Sequence, residues 1–318
     1  MSVRYEVTIG IIFMNPQNYD KFVKALYSIL SKRYFISIHL VLIDNTGSDF
    51  FVVDETTKDP YLVLRRKTTQ EPLLLQFKDY VDFDNDSVQY IKNAECKSVA
   101  ENWNTIYKVS NSPVVIFCND DIIVNEYYDR ILFNYVFGNP MGERTDIASY
   151  CEVYPYPQLL IDGWNQEKCV DGGRKGLWNT GMNGACWATR RSVLEEVAKF
   201  QPNKQPFDTR YKLACYEDLD FYMTATRNLR LDFGVVYDSF IFHYGASTRN
   251  SDMVKELQNK QMGGSYHIDY NKKVFQEKWK LTDDQLHGLE NSLYKGWNIN
   301  HLNHIVKQLA DAKFGERK

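Results

Sequence analysis

Apolar positions in the first 120 residues form short, mostly apolar runs, separated by stretches with helical spacing. The runs from Val7 to Met14, Ile36 to Ile43 and Val114 to Cys118 are rich in Val and Ile, which is typical of strands buried on both faces of a parallel sheet. Asp20 to Arg33 and Lys97 to Val109 place apolar residues at helical intervals. This alternation predicts an α/β fold in which right-handed crossovers join parallel strands.

Apolar spacing in the second half of the chain is less regular but still predicts defined elements. Asp146 to Tyr150 and Leu231 to His243 have the composition of strands, while Arg191 to Phe200 and Glu217 to Leu229 have helical spacing. From about Asn271 onward the pattern predicts a helical tail. We therefore expect two further strands, two further helices and a C-terminal helical extension.

Bulk composition narrows the range of functions. A net charge of −3 and a pI near 6.1 argue against a dominant nucleic-acid or anionic-membrane surface, which would need clustered Lys and Arg. No apolar run approaches the roughly 20 residues that span a bilayer, and Arg4 and Glu6 interrupt any early signal-peptide core. Six cysteines without a CxxC pair favour reduced thiols over disulfides or a zinc site. We expect a soluble cytoplasmic protein.

Polar side chains directly follow the third apolar run. Asn119-Asp120-Asp121 come after Cys118, and ligands in open α/β sheets bind just beyond the carboxyl ends of such strands. Two adjacent carboxylates repel each other unless a cation or a donor network compensates their charge. A divalent metal carrying a diphosphate is the simplest compensation, and it indicates nucleotide-sugar chemistry. An ordinary Asn/Asp turn is the structural alternative.

Three other polar positions have both a structural and a functional interpretation. Asp44 ends the second run and could accept the imide N–H of a uracil or a related base, although Asp-Asn-Thr-Gly is also a good turn. His243 ends the last predicted strand, where a lone His is more often structural than a ligand. Glu217-Asp218 begin a predicted helix, where they could cap it or remove the proton from an acceptor hydroxyl.

Taken together and in this order, these residues resemble glycosyltransferase family 2 and related proteins of the GT-A fold, over roughly Val7 to Thr248. The segments that carry the resemblance follow one another along the chain: Leu40 to Ser48, Ala100 to Asn104, Asn119 to Asp121, Gly184 to Arg191, Tyr216 to Asp220 and His243 to Ser247. In that family the third segment is an Asp-x-Asp motif, so Asn119 stands here in place of its first acid.

The resemblance implies a metal–diphosphate site. Asp121 would be the direct ligand and His243 would complete the site, while Asp120 would support the ribose or the waters of the metal. Carboxylate ligands with one imidazole suit Mn²⁺ or Mg²⁺ better than zinc.

The resemblance also implies a nucleotide diphosphate sugar donor, with a UDP-sugar favoured, and a glycan or other hydroxyl acceptor. The residues expected to bind the donor are Asp44, Asn45, Asn102, Asn119, Asp120, Ser247 and Arg249. Asp218 would be the general base of an inverting transfer, and Glu217 would help to position the acceptor. Trp164, Trp178 and Trp187 are candidate acceptor contacts, although packing of an irregular aromatic stretch between 150 and 183 explains the first two as well.

The expected fold is therefore a GT-A-like, Rossmann-like αβα sandwich with a mostly parallel central sheet. We expect a GT-A domain over 1–250, with a nucleotide-sugar half at about 1–125 and an acceptor half at about 126–250. Residues 251–318 would form a lid loop, Gly-hinged at Gly263-Gly264, and a helical extension in which Thr282 to Gln285 fits a capping box. An ordinary mobile surface loop is the alternative to the lid.

Two other functions share some of these features. A nucleotidyltransferase has a similar layout and metal carboxylates, but Met14 to Asn18 follow the first strand here instead of a Gly-rich phosphate loop. A module that binds carbohydrate or nucleotide sugar without catalysis is disfavoured by the combination of Asp121, Glu217, Asp218 and His243. A nucleic-acid acceptor is disfavoured by the acidic balance of the chain.

Overall fold

The computed structural model describes residues 5–138, 145–153, 177–178, 184–244, 252–264 and 266–294. Within these ranges the strands are β1 (Val7–Phe13), β2 (Ile38–Asp44), β3 (Phe51–Val53), β4 (Leu64–Arg66), β5 (Ser87–Lys92), β6 (Val114–Asn119), β7 (Ile122–Ile123), β8 (Ile147–Val153), β9 (Leu177–Trp178), β10 (Cys186–Arg190) and β11 (Phe233–His243). The helices are α1 (Tyr19–Ser31), α2 (Val99–Val109), α3 (Tyr128–Phe137), α4 (Arg191–Ala198), α5 (Glu217–Asn228), α6 (Asp252–Met262), α7 (His267–Trp279) and α8 (Asp283–Tyr294).

One large mixed sheet organises the molecule. Its strand order is β5-β2-β1-β6-β10-β8-β11-β7, with β9 paired to β8, while β3 and β4 form a separate hairpin. Strands β5, β2, β1, β6, β8 and β11 run in one direction, and β7, β9 and β10 run against them. The predicted mostly parallel sheet is therefore confirmed, and the carboxyl ends of six strands meet at one edge.

Helices cover both faces of this sheet. Strands β1 and β2 are buried along their whole length, as their unbroken apolar runs predicted. On one face, residues of α1 and α3 such as Leu26 and Leu132 pack against the sheet. On the other face lie α2, α4, α5, α7 and α8, represented by Trp103, Phe221 and Phe275. The result is the αβα sandwich that the sequence predicted.

The helices after β11 only partly follow the prediction. Thr282 and Gln285 form the expected capping box, because the Thr282 amide donates to Gln285 Oε1 (2.9 Å) and the Gln285 amide donates to Thr282 Oγ1 (3.2 Å). The expected lid loop is wrong between Asp252 and Met262, where the chain forms α6. That helix is polar, and too few of its residues are buried to give a recognisable helical pattern of apolar positions in the sequence.

Two elements of the central region have no counterpart in the sequence prediction. The sequence analysis did not predict helix α3. It identified β10 only as part of a motif, because a strand of five residues gives too short a pattern. Among the described residues, no helix is long and apolar enough to cross a membrane.

Candidate active site

The predicted metal residues meet at the carboxyl edge of the sheet, between β6 and β11. The Nε2 atom of His243 lies 3.0 Å from Oδ1 of Asp121, across 122 positions of sequence. Asn119 Nδ2 is 3.4 Å from the same ring nitrogen. Backbone pairing holds the two segments together, since Ile122 is in register with His243 and the Tyr244 amide donates to the Asp121 carbonyl (2.9 Å).

Asp120 lies beside this pair in a buried position. Its Oδ2 accepts a hydrogen bond from the Met14 amide at the end of β1 (3.1 Å). Burial, followed by the negative charge of Asp121, raises the pKa of Asp120 to about 7. Two adjacent carboxylates are therefore buried at this edge, where the charge of Asp121 disfavours ionisation of Asp120.

A divalent cation fits this charge and donor set. Within the ranges that the structure describes, no three His, Cys, Asp or Glu side chains form a complete metal cluster. Among these described residues Asp121 and His243 offer one carboxylate and one imidazole, and a diphosphate or water would supply further oxygen ligands. Mn²⁺ and Mg²⁺ accept such partly protein-built oxygen and nitrogen sites.

Asp44 ends β2 on the same edge, but its carboxylate is engaged by the protein. Oδ1 accepts from the amide and the hydroxyl of Thr46 (3.0 and 2.7 Å), and Oδ2 accepts from the Tyr90 hydroxyl (3.0 Å). Desolvation, followed by the charge of Asp44, raises the pKa of Tyr90 well above its usual range. These contacts have the geometry of an Asp turn, the structural alternative for this residue.

The amides of Asn45 and Asn102 face the protein interior, which the sequence did not reveal. Asn93 Nδ2 donates both to Asn45 Oδ1 (2.8 Å) and to Asn102 Oδ1 (2.7 Å). Asn45 also exchanges hydrogen bonds with the backbone of Lys97 (2.8 Å each). All three amides are buried, so the predicted direct contact of Asn45 and Asn102 with a donor is corrected to support of the loop after β5.

An open depression lies next to this network, at the ends of β2 and β5. Its volume is about 480 Å³, and it is lined by Gly47, Ser48, Asp49, Lys92 and Ala94. Gly47 has a φ of +65°, and a Cβ there would lie 3.0 Å from the backbone nitrogen of Cys96. Glycine is therefore required for the close approach of the two loops that frame the depression.

Glu217 and Asp218 form the first turn of α5, beside the start of β10. Asp218 Oδ1 accepts from the Leu219 amide (2.8 Å), and a Cβ on Gly184 would lie 3.2 Å from Asp218 Oδ2. The carbonyl oxygen of the next residue, Ala185, accepts a hydrogen bond from the backbone N–H group of Asn119 (2.8 Å). This short chain of contacts brings the Asp218 carboxylate to the β6 end of the candidate site.

The predicted tryptophan contacts have different outcomes. Trp187 is fully buried and stacks on Phe117 with ring centroids 4.5 Å apart. It is a core residue, so its assignment to the acceptor is wrong. The backbone of Trp178 pairs with Glu152 of β8. Trp164 and the predicted phosphate contacts Ser247 and Arg249 lie outside the described residues.

No family model and no curated protein matches the chain. Among solved structures it is similar to GalNAc-T7 with UDP, GalNAc and Mn²⁺, at 13% identity and a TM-score of 0.46, over 86% of this chain and 54% of that one. It is similar to S. aureus TarS 1–349 at 12% identity and a TM-score of 0.45, over 98% and 92% of the two chains.

A third similar structure is the mannosyltransferase PcManGT from Pyrobaculum calidifontis in complex with GDP-Man and Mn²⁺, at 11% identity and a TM-score of 0.48, over 99% and 89% of the two chains. The chain spans about half the length of the GalNAc-T7 chain. All three TM-scores are below 0.5.

Proposed function

We propose that the chain is a metal-dependent glycosyltransferase, which moves a sugar from a nucleotide diphosphate sugar to a hydroxyl acceptor with inversion. The observation that carries this proposal is the 3.0 Å contact between Asp121 and His243 beside the buried Asp120. A cation with an attached diphosphate compensates such clustered carboxylates and uses the carboxyl edge of an open sheet, where ligands of α/β proteins bind.

Asp121 and His243 would hold Mn²⁺ or Mg²⁺. When bound, the cation supplies positive charge to the diphosphate as the anomeric C–O bond breaks. Asp120 is fixed by the Met14 amide and would support the ribose or the waters of the metal. Asn119 is within reach of His243 and would orient its ring.

Asp218 would act as the general base. Its carboxylate would take the proton from the acceptor hydroxyl while that oxygen attacks the anomeric carbon from the face opposite the leaving diphosphate. The position at the start of α5 supports this role, because the N-terminus of a helix favours a negatively charged side chain. The buried Glu217 would help to orient the acceptor.

The nucleoside would occupy the depression next to Asp44, and uracil is the favoured base. Lys92 lines this depression and would face the nucleotide, while Asn45 and Asn102 would keep its neighbouring loop in place. Ser247 and Arg249 remain proposed phosphate contacts, and Trp164 and Trp178 remain proposed acceptor contacts. The six cysteines are scattered along the sequence without a CxxC pair, which favours a cytoplasmic enzyme.

The proposal is tested by screening UDP- and GDP-sugars for Mn²⁺-dependent hydrolysis and transfer by the full chain. We expect Asp121→Ala to abolish transfer while the far-UV circular dichroism of the protein stays unchanged. We expect Asp218→Asn to retain donor binding and to lose turnover by at least about a hundredfold, as loss of a general base does. Full transfer activity in either variant contradicts the assigned roles.

Two further assays separate the rival functions. Release of pyrophosphate from a nucleoside triphosphate and a sugar phosphate would identify a nucleotidyltransferase. Calorimetric binding of a sugar that depends on neither metal nor nucleotide would identify a binding module.

A further inference from the structure

The segment that leads into α5 has an unusual backbone. Leu213, Cys215 and Tyr216 have φ values of +56°, +81° and +73°. Residues with a Cβ rarely adopt this left-handed region, and three such residues within four positions do not hold it by local preference. Contacts from outside the segment must impose the conformation.

One side chain of α7 supplies most of these contacts, and the Val99 amide of α2 adds a hydrogen bond to the Leu213 carbonyl (2.6 Å). Asn271 is fully buried, and its Oδ1 accepts a hydrogen bond from the Lys212 amide (2.8 Å). Its Nδ2 donates to the carbonyl oxygens of Lys212 (2.8 Å), Ala214 (2.9 Å) and Cys215 (3.0 Å). The Asn271 side-chain amide thus forms hydrogen bonds with backbone groups of Lys212, Ala214 and Cys215. These residues flank or include the left-handed positions Leu213 and Cys215.

The face of α7 that carries Asn271 is itself fixed against α5. Phe275, one turn further, packs on the ring of Tyr216 with centroids 5.5 Å apart. Trp279 Nε1 donates to Asp220 Oδ1 (2.8 Å), and Lys278 Nζ donates to Asp220 Oδ2 (2.7 Å). Helix α7 therefore contacts both the entry segment and the first turns of α5, so Asn271 has a rigid base.

We infer that Asn271 is a positioning residue, which holds the 212–216 segment in its left-handed conformation and thereby sets the Asp218 carboxylate beside Gly184. The segment ends two residues before Asp218, so a shift of its backbone moves the first turn of α5. The assignment of Asp218 as the base rests on the proposed function; the hold of Asn271 on the segment does not. Asn271 acts through the backbone and touches no reacting atom.

The chemistry of the site explains why an amide is required. The two N–H hydrogens of the side chain serve three carbonyl oxygens, one hydrogen being shared between two of them, while the side-chain oxygen accepts from one backbone N–H group. A carboxylate of the same shape keeps the acceptor but turns a second oxygen toward the three carbonyls, which repels them. Asn271→Asp is therefore the sharpest single change.

Asn104 offers a matched control. It is also a buried helical Asn, and it binds one backbone residue, donating to the Phe207 carbonyl (2.8 Å) and accepting from the Phe207 amide (3.0 Å). Asn104→Asp makes the same chemical change in the core without touching the 212–216 segment. Its effect measures what the loss of a buried amide does to folding alone.

The test compares the full-length wild type, Asn271→Asp and Asn104→Asp with the donor and Mn²⁺ found active in the screen. We expect Asn271→Asp to lower kcat about tenfold to a hundredfold, as a displacement of about 1 Å does. We expect the Kd for the donor to stay within about twofold, because ground-state binding is not involved. Asn104→Asp should keep the kcat of the wild type per folded molecule. Where Asn271→Asp does not fold, Asn271→Ser, which keeps a donor and an acceptor at shorter reach, should show the same separation of kcat from Kd.

Two results would overturn the inference: wild-type kcat in the folded Asn271 variant, or equal loss of kcat in both Asp variants. If the wild type turns over no donor at all, the proposed function has failed, and hydrogen exchange decides the inference by itself. Faster exchange of the amides between 213 and 219 in the Asn271 variant than in wild type and Asn104→Asp supports the positioning role. Unchanged exchange there refutes it.

Discussion

At the residue scale, the smallness of Gly184 leaves room for the Asp218 carboxylate. A Cβ at this position would lie 3.1 Å from Cη2 of Trp103 and 3.2 Å from Oδ2 of Asp218. Trp103 is locked in the core, so the carboxylate is the group that must move. We expect Gly184→Ala to lower kcat by about tenfold through this displacement, with the donor Kd unchanged, as measured by steady-state kinetics and calorimetry.

Gly288 in α8 is the control for this substitution. A Cβ there meets nothing within 4 Å, so Gly288→Ala should leave kcat unchanged and stabilise the protein by about 0.5–1 kcal/mol through helix propensity. Equal kcat values for wild type and Gly184→Ala would show that the carboxylate tolerates the added methyl group and would argue against its tight placement.

His39 on β2 links a single side chain to the pH dependence of folding. Burial lowers the pKa of His39 below its usual 6.5, although a hydrogen bond with Gln89 partly opposes this effect. Below pH 6.5 the unfolded chain therefore takes up a proton that the folded chain refuses, so stability falls as the pH falls. We expect His39→Gln to lose less stability than wild type between pH 7 and pH 5 in urea unfolding. An identical loss in both proteins would mean that His39 charges as easily in the fold as outside it.

Residue types predicted the place of the site better than they predicted which atoms face it. Asp and Asn at strand ends predicted one edge of the sheet for the candidate site, and Asp121 and His243 meet at that edge because carboxyl ends of parallel strands share it. The sequence could not show that Asn45 and Asn102 turn inward, since that depends on Asn93, a residue with no local motif. It could not show the contacts of Asn271 either, because the three residues that this side chain binds lie more than 50 positions away.

At the scale of elements, a buried charge cluster attaches α7 to the rest of the fold. Lys278 Nζ donates to Asp220 (2.7 Å), Asp208 (3.1 Å) and Gln201 (2.6 Å), and both carboxylates are almost fully buried. Loss of the ammonium group would leave two buried carboxylates facing each other with reduced compensation. We expect Lys278→Met to destabilise the protein by about 3–5 kcal/mol in urea unfolding.

The surface pair of Lys67 and Asp49 is the control for Lys278. Both side chains are more than half exposed, so Lys67→Met should leave the free energy of unfolding nearly unchanged because solvent screens such pairs. If Lys278→Met costs no more than Lys67→Met, water has access to the cluster and α7 is held mainly by Phe275 and Trp279.

The sequence patterns predicted the most deeply buried strands and helices best. The runs rich in Val and Ile predicted β1, β2 and β6 to within two residues at each end. Helix α6, which is polar, and β10, which is short, escaped because their patterns resemble those of loops. The antiparallel insertion of β10 between two parallel strands is a property of the assembled sheet, so no local pattern encodes it.

At the scale of the whole molecule, the candidate metal site joins the two halves of the sheet. Asp121 follows β6 and His243 ends β11, and two strands, β10 and β8, lie between these elements in the sheet order. A ligand that binds both side chains therefore stabilises the contact between the β1–β6 region and the β8–β11 region. Such a ligand should raise the temperature of the whole unfolding transition.

Cation and nucleotide should depend on each other for this stabilisation. Within the part of the chain that the structure describes, Mn²⁺ alone would find two protein ligands, Asp121 and His243. UDP alone would bring its diphosphate toward the carboxylates of Asp120 and Asp121, which repel it. When both are present, the diphosphate would supply oxygen ligands to the cation, and the cation would offset the repulsion between the diphosphate and the carboxylates. We expect Mn²⁺ with UDP at about a hundred times the joint Kd to stabilise the fold by about 2.7 kcal/mol, and either one alone to give a much smaller shift in differential scanning calorimetry. His243→Ala should remove the joint effect while the unliganded protein still unfolds in one transition. An equal shift by UDP in the presence of EDTA would contradict the metal-bridged site and would leave nucleotide binding to the depression beside Asp44.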